Sequence, residues 1–452
     1  MNLTNHKILT LTIFCIALTA SGMEISYYEQ QQRALHWRDE TSTQLHAAVL
    51  TGQVRTVQQL VQEGVNVNAQ NSLGATPLHL AFLIPPKSSA VIVGLLIENG
   101  ACIEAKNNIG STPLHKAAAC GKVEVVQRLL QSGAEIGSKD LHERTPLHQA
   151  VRLPNPRTAA LLLEYKADIE ARDNKGRTPL HEAAKLPNPR TTALLLEHKA
   201  NIEAQDKDGE RPLHMAVTGP NSKTTALLLE HNADIEAQDK YGRTPLHAVI
   251  IDLSVAHLFA NKGIELSAIV IAQLLLRRGA NIEAKNCCGL TPLHEASKIK
   301  NPKISALLVA HKADIEAKDN DEYTPLHWAA IMHRNEAIKL LLANGADIEA
   351  INKEGETPLQ CAASVRGKIE TLQLLLECGA NCATRNALND TPLHNAAKNG
   401  YTTKVKLLLL HGADIGAKNH SNATPLMEAW HYGRVETVTF LIEKWFSLID
   451  MQ

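Results

Sequence analysis

The chain has 452 residues, and its 46 lysines and arginines against 47 aspartates and glutamates give a formal net charge of -1. It therefore carries no overall basic field that would hold nucleic acid or an anionic membrane surface. Hydrophobic residues make up 44% of the chain and aromatic residues 4%, so the apolar material is mostly small and aliphatic, which suits closely packed short helices.

Residues 1–22 have the pattern of a secretory signal peptide. Lys7 precedes an apolar run from Ile8 to Leu18, and small residues follow at Ala20 and Gly22. The run is about half as long as the 20 residues that a membrane-spanning helix needs. We therefore predict cleavage after Ala20 or Gly22 and no stable membrane insertion afterwards. The alternative is a hydrophobic N-terminus that is not cleaved.

A tetrapeptide, Thr-Pro-Leu-His, recurs with variants through residues 43–452, and residues 23–42 precede it as a linker or N-terminal cap. Eight of the eleven intervals between successive copies are 33 residues, and the others are 36, 47 and 34. The copies begin at Thr43, Thr76, Thr112, Thr145, Thr178, Arg211, Thr244, Thr291, Thr324, Thr357, Thr391 and Thr424. A fixed period of this size is typical of stacked modules, none of which buries its apolar face alone.

Each repeat is predicted to fold as helix, turn, helix and hairpin. In the repeat that begins at Thr178, this threonine can cap a first helix whose first turn contains Pro179, where a missing N–H costs nothing. A second helix starts near Asn188 and presents a broad apolar face. Residues 206–209 carry the turn residues of a hairpin.

With this pattern the chain resembles the ankyrin repeat family, whose motif TPLHxAAxxGxxxxVxxLLxxGADxxAxDxxG it follows from Thr43 to the C-terminus. The resemblance implies an all-α fold, a curved solenoid of stacked helix-turn-helix units with short β-hairpin loops. It also implies that the hairpin tips and first helices line a concave surface that binds partner proteins. Together with a signal peptide, the chain resembles the exported ankyrin proteins of host-associated bacteria. That resemblance implies a secreted or periplasmic effector that acts in a host cell.

The histidines and cysteines do not indicate a catalytic or metal site. Ten of the 21 histidines stand at the fourth position of the tetrapeptide, where we expect the imidazole to satisfy backbone and threonine groups. Removing Cys15 with the signal peptide leaves seven of the eight cysteines, without the spacing of a disulfide framework or a zinc site. The chain has no phosphate-binding glycine loop, nucleophile elbow or zinc-protease motif. We expect no enzyme activity, no cofactor and no metal.

Four repeats lack the glycine that usually follows the second helix and carry Lys166, Lys199, Asn232 and Lys312 instead. A non-glycine residue in this left-handed position costs about 1 kcal/mol. We interpret these repeats as duplicates of one variant unit. The functional alternative is a row of cationic tips at the three lysines.

The seventh repeat contains 14 extra residues between His247 and Leu274. Two antiparallel helices, each longer by two turns and joined at residues 261–263, would accommodate them. The apolar residues predicted to pack together as a protruding knob are Val255, Leu258, Phe259, Ile264 and Leu266. The knob is either a self-contained hairpin or a patch for a partner or for self-association.

The partner-binding surface is predicted at positions that vary among repeats, namely the hairpin tips and the residue after the tetrapeptide, which we expect to be solvated. Tyrosine, tryptophan and arginine are enriched at binding hot spots. The candidate partner-binding residues are Arg177, Asp208, Tyr241, Arg243, Tyr323 and Trp328.

The sequence therefore predicts a monomeric scaffold that binds a partner protein. One alternative is a structural array that self-associates through the knob. The other is an enzyme with a site built on the repeat surface around Cys287, Cys288 and His294.

Overall fold

The computed structural model describes residues 43–219, 221–256 and 262–449, without the side chains of 253–256, 262–265 and 448–449. The predicted signal peptide and linker, residues 1–42, lie outside this part. The described residues form twenty-four helices and no strand. They fall into two compact units that divide between Asp234 and Ile235, and each unit contains six helix pairs.

The helices of the first unit are α1 Gln44–Leu50, α2 Val54–Gln62, α3 Pro77–Leu80, α4 Pro86–Glu98, α5 Pro113–Ala119, α6 Val123–Gln131, α7 Pro146–Ala150, α8 Arg157–Glu164, α9 Pro179–Lys185, α10 Pro189–Glu197, α11 Pro212–Val217 and α12 Ser222–Glu230. Those of the second unit are α13 Pro245–Ala256, α14 Lys262–Arg277, α15 Pro292–Ser297, α16 Lys303–Ala310, α17 Pro325–Ile331, α18 Asn335–Ala343, α19 Pro358–Ser364, α20 Ile369–Glu377, α21 Pro392–Asn399, α22 Thr402–Leu410, α23 Pro425–His431 and α24 Val435–Ile449.

The tetrapeptide starts the odd-numbered helix of each repeat. Thr324, for example, is an extended N-cap, and Pro325 is the first residue of α17. Within each unit, the odd-numbered helices pack against one another and the even-numbered helices form a second layer beside them. The tetrapeptide leucine, such as Leu180 or Leu326, is almost completely buried between neighbouring repeats. Burial of this leucine and of the following alanines supplies the stacking energy. The structure confirms the predicted stack of helix pairs within each unit.

The loops that were expected to form short β-hairpins are turns. In the loop of the third repeat, Asp140 N donates to Arg144 O at 3.1 Å, and Leu141 N donates to Ile109 O of the preceding loop at 3.0 Å. A second bond across the tip runs from Glu143 N to Asp140 O at 2.9 Å. These bonds close a turn and join it to the neighbouring loop, but they do not build a ladder. The described loops therefore contain turns but no strands.

In nine repeats, the tetrapeptide histidine joins the repeat to the loop that follows it. In α17, Thr324 N donates to His327 Nδ1 at 3.1 Å, and His327 Nε2 lies 2.9 Å from the carbonyl oxygen of Glu356. A backbone N–H can only donate, so Nδ1 must accept and Nε2 must carry the proton. The same Nε2 contact with a later carbonyl is made by His46, His79, His115, His148, His181, His247, His294 and His394. The predicted structural role of these histidines is confirmed.

Burial of this neutral imidazole lowers its pKa. The pKa of His327 falls from 6.5 to about 4, chiefly because burial penalises the charged form, although the bond to Glu356 O opposes the shift. His79 and His294 are lowered to about 4 for the same main reason. Between pH 6.5 and 4 the unfolded chain therefore binds protons that the folded chain excludes. The stabilisation of the folded chain by these neutral, buried histidines is fully present above pH 6.5 and is lost as the pH falls towards 4.

The tenth repeat carries Gln360 in place of this histidine, and the glutamine makes both bonds without titrating. Thr357 N donates to Gln360 Oε1 at 3.0 Å, and Gln360 Nε2 donates to Asp390 O at 2.8 Å. We predict that His327→Gln retains the wild-type urea midpoint at pH 7. Between pH 7 and 5 the variant should lose about 2 kcal/mol less stability than wild type.

The comparison is made by urea unfolding at both pH values. His327→Ala serves as the comparator, since it leaves the N–H of Thr324 and the carbonyl of Glu356 unpaired and should be destabilised at both pH values. Equal losses of stability in wild type and His327→Gln between pH 7 and 5 would contradict the assignment.

The four predicted non-glycine caps are left-handed. Lys166, Lys199, Asn232 and Lys312 have φ values of 65°, 63°, 61° and 64°. At the last of these, Lys312 N donates to Val309 O and the next amide donates to Leu308 O. These bonds close the helix end in the way that usually selects glycine.

We predict that Lys312→Gly raises the free energy of unfolding by about 1 kcal/mol because it relieves the left-handed strain. The matched reverse variant is Gly345→Lys in the next repeat, where φ is 94° and an added Cβ would meet no atom within 4 Å. Gly345→Lys should lower the free energy of unfolding by a similar amount. Urea unfolding at pH 7 measures both, and shifts of the same sign in the two variants would refute the assignment.

The insertion of the seventh repeat lengthens both of its helices. α13 has 12 residues and α14 has 16, compared with 6 in α15 and 8 in α16. Lys262 and Gly263 belong to α14 rather than to the predicted connection, since the helix begins at Lys262. Asn261, Leu258 and Phe259 lie outside the described residues, as do the side chains of Val255 and Ile264.

Of the five predicted knob residues, the structure describes the side chain of Leu266. Leu266 is 66% exposed, and Val270, one turn further along α14, is 43% exposed. α14 buries Ala268 and Ile271 and leaves Leu266 largely exposed. The packing of the knob stays a prediction, because the side chains of its other four residues lie outside the described part of the chain.

Candidate protein-interaction surface

The loop tips of the second unit are held by aspartate or asparagine side chains. Asp239 Oδ1 accepts hydrogen bonds from the backbone N–H groups of Tyr241 at 2.8 Å and Arg243 at 2.9 Å. Asp319 Oδ1 accepts from Asp321 and Tyr323 in the same way. Such side-chain bonds fix the course of a turn without requiring a strand partner. Each tip therefore presents its residues from a fixed backbone.

Adjacent tips are also joined to one another through their backbones. Cys287 N donates to Tyr241 O at 2.9 Å, and Asn320 N donates to Cys288 O at 3.1 Å. Three consecutive tips, those of residues 239–243, 286–290 and 319–323, thus form one connected row. Side chains that are far apart in sequence become neighbours on this row.

Tyr241 and Arg243 form the first aromatic cluster of the row. The guanidinium carbon of Arg243 lies 4.8 Å from the ring centre of Tyr241, and Lys240 Nζ lies 4.9 Å from it. Arg243 Nε also donates to Asp239 Oδ2 at 2.6 Å, so the cation is held over the ring. Tyr241 remains 46% exposed. This cluster offers an exposed ring whose cationic neighbours are already in position.

Tyr323 and Trp328 form the second cluster, with ring centres 5.6 Å apart. Trp328 Nε1 donates to Asp319 Oδ2 at 2.9 Å, and Lys298 Nζ lies 4.3 Å from the indole ring. Burial raises the pKa of Tyr323 to about 12, with further contributions from Cys361 and Glu356. The phenol therefore stays protonated at neutral pH and can donate a hydrogen bond.

Arg177 and Asp208 belong to the first unit and do not join these clusters. Arg177 Nε lies 3.2 Å from Asp206 Oδ2, and its Nη2 lies 3.8 Å from Glu210 Oε2, with 15% of its side chain exposed. Asp208 is half-buried, and its backbone N–H donates to Asp206 Oδ1 at 2.9 Å. The guanidinium of Arg177 thus already holds neighbouring loops together.

The residue after the tetrapeptide was expected to be solvated, and this expectation is wrong for several repeats. Leu80, Met215, Ala248 and Asn395 are buried, and Trp328 is half-buried. An odd-numbered helix of two turns has a neighbouring repeat on each side, so little of its surface faces water. Variation at this position therefore reflects packing between repeats.

Two exposed apolar surfaces were missed by the sequence reasoning. In the first unit, Leu73, Ile109 and Leu141 occupy consecutive loop tips and are 39%, 46% and 69% exposed. Asn108 N donates to Leu73 O and Leu141 N to Ile109 O, so these tips are also connected. The sequence could have indicated this surface, because these tips carry a large aliphatic residue where most other repeats have polar tip residues.

The second missed surface is the outer face of the last repeat. Met427 stands where other repeats have the bridging histidine, and Trp430 stands where the preceding repeat has the buried Ala397. Met427 is 57% exposed and Trp430 is 73% exposed. They line a groove of about 780 Å³ together with Leu388 and Tyr432. These two replacements are visible in the sequence once the repeats are aligned.

The residues proposed for a catalytic site do not assemble into one. His294 is completely buried. Its Nδ1 lies 2.8 Å from Thr291 Oγ1, and its Nε2 lies 2.9 Å from the carbonyl oxygen of Tyr323. Both ring nitrogens are therefore engaged and cannot serve as a base for Cys287 or Cys288. Within the described residues, no group of three or more metal-ligating side chains occurs, and no helix is long and apolar enough to cross a membrane.

The sequence matches a family described as ankyrin repeats (3 copies) over residues 45–140, 135–206, 183–269, 257–352, 336–419 and 359–451. The chain belongs to the ankyrin repeat family. No curated protein matches the sequence. Ankyrin repeats are generally modules of protein interaction, and the family is typically a non-catalytic scaffold. In this ankyrin chain, two aromatic clusters lie on one connected row of loop tips.

Proposed function

We propose that this ankyrin repeat chain is a non-catalytic scaffold that binds a partner protein through the loop tips and odd-numbered helices of its second unit. The residues that make the main contacts are Tyr241, Arg243, Tyr323 and Trp328. The observation that carries the proposal is the placement of two aromatic clusters on one row of hydrogen-bonded tips.

The hydrogen bonds beneath these rings favour binding. Asp239 holds Arg243 over the ring of Tyr241, and Asp319 holds both the backbone of Tyr323 and the indole of Trp328. A ring that is already fixed loses little conformational entropy when a partner covers it. Fixed aromatic and arginine side chains near the centre of an interface supply most of its binding energy.

We predict that replacing Tyr241, Arg243, Tyr323 and Trp328 together by alanine weakens binding at least 100-fold, since each hot spot contributes about 2 kcal/mol. Partners are captured with the wild-type chain, and the dissociation constant of each purified partner is then measured for wild type and variant. The matched control is Tyr165→Ala, which removes a tyrosine at the C-terminal end of α8 that is 38% exposed.

The control should bind like wild type, and thermal unfolding of every variant shows whether folding is retained. A folded quadruple variant that binds all captured partners with wild-type affinity would exclude this surface.

We also propose that the chain is exported through residues 1–22, as an effector secreted from the cell or released into the periplasm. The support is the sequence alone: one lysine, a short apolar run and small residues at the cleavage position. Expression of the full chain in a bacterium should yield a mature protein that starts at Ser21 or Met23. N-terminal sequencing of the exported and cellular fractions measures this, and retention of Met1 in every fraction would overturn it.

A further inference from the structure

Two neighbouring thiols lie on the loop tip between the two aromatic clusters. Cys287 and Cys288 are both exposed and free, and their sulfur atoms lie 3.9 Å apart. Both side chains therefore leave the same tip in nearly the same direction and are open to a ligand from solvent.

The backbone of this pair is held from both sides. Cys287 N donates to Tyr241 O on the preceding tip. On the following tip, Asn320 Nδ2 donates to Cys287 O at 3.0 Å and Asn320 N donates to Cys288 O at 3.1 Å. Asn286 Oδ1 accepts from Cys288 N within the tip itself. These bonds fix the peptide that links the two cysteines, and with it the spacing of their side chains.

The spacing suits a bridging atom better than a direct bond between the sulfurs. Two sulfurs that are each about 2.3 Å from one shared centre lie about 3.8 Å apart if the centre is tetrahedral and about 3.4 Å apart in the pyramidal geometry of trivalent arsenic. A disulfide would instead require a separation of about 2 Å, and closing it would twist the peptide that the neighbouring tips hold. The hydrogen bond between the two thiols raises the pKa of Cys288.

We propose that Cys287 and Cys288 form a dithiol site for a thiophilic metal or metalloid centre that takes two sulfur ligands, of the class represented by trivalent organoarsenicals. Within the described residues, no third metal-ligating group stands beside the pair, so the remaining coordination positions stay with the incoming group. The site goes beyond the proposed protein-binding function and does not depend on it.

The reaction with phenylarsine oxide balances without an oxidant. Two S–H bonds and the arsenic–oxygen bond break, two As–S bonds form, and the oxygen leaves as water with both protons. The second As–S bond forms within one loop, so the effective concentration of the second thiol is high and the chelate is much more stable than a single bond. The greater stability of the chelate therefore distinguishes an arsenical bound to Cys287 and Cys288 from one bound to a single cysteine.

The test treats the full chain with one equivalent of phenylarsine oxide and follows the bound arsenical by intact mass. Wild type should retain one arsenical when challenged with excess 2-mercaptoethanol and lose it to 2,3-dimercaptopropanol. Cys287→Ser and Cys288→Ser should each weaken retention at least 100-fold, because only one As–S bond remains. Both changes lie on an exposed tip, so folding should be retained.

The matched control is the double variant Cys378→Ser, Cys382→Ser, which removes the other closely spaced cysteines of the second unit. It should retain the arsenical like wild type. Equal stripping of wild type and both single variants by 2-mercaptoethanol would overturn the proposal. Retention that is lost in the control variant would overturn it as well, since the site would then lie at Cys378 and Cys382.

Discussion

Within each unit the structure depends on one polar side chain in most repeats, a histidine, or Gln360 in the tenth repeat, that bonds backward to the start of its own helix and forward to the next loop. His181 illustrates the arrangement, with Nδ1 3.1 Å from Thr178 N and Nε2 3.0 Å from Glu210 O. Apolar burial supplies more stacking energy, but it is not directional. The two-sided hydrogen bond sets the register between a helix and the following loop, because a shift would leave both partners unpaired in a buried site.

Because the register is fixed, the backbones of the loop tips keep the same arrangement when their side chains vary. Backbone hydrogen bonds join Cys287 to Tyr241 and Asn320 to Cys288 along the row of tips, while the side chains at the tip positions vary from repeat to repeat. Aromatic, cationic and thiol groups therefore lie side by side although dozens of residues separate them in the chain. A scaffold of this kind can acquire a new binding surface by changing tips without disturbing its core.

The variant repeats show how much local departure such a stack tolerates. Lys166, Lys199, Asn232 and Lys312 retain the left-handed cap without glycine, each at a cost of about 1 kcal/mol. Three of these four repeats also bury a hydroxyl oxygen without a hydrogen-bond partner, that of Thr192, Thr224 or Ser305, which adds a further cost. The shared pattern fits duplication of one unit. A stack joined by repeated polar bridges and buried leucines has enough stability to carry these costs.

The sequence by itself determined the repeat, the helix starts at Thr-Pro, the left-handed caps and the structural use of the histidines. These features arise from interactions within a few residues, or from contacts that recur identically in every repeat, so the period reveals them. Only the tertiary structure decided which variable positions are available to a partner. In the structure, Leu80 and Met215 are buried and Arg177 pairs with Asp206. Trp328 packs against Tyr323 and donates a hydrogen bond to Asp319. Exposure and pairing at these positions depend on the side chains of adjacent repeats, and a local pattern does not contain that information.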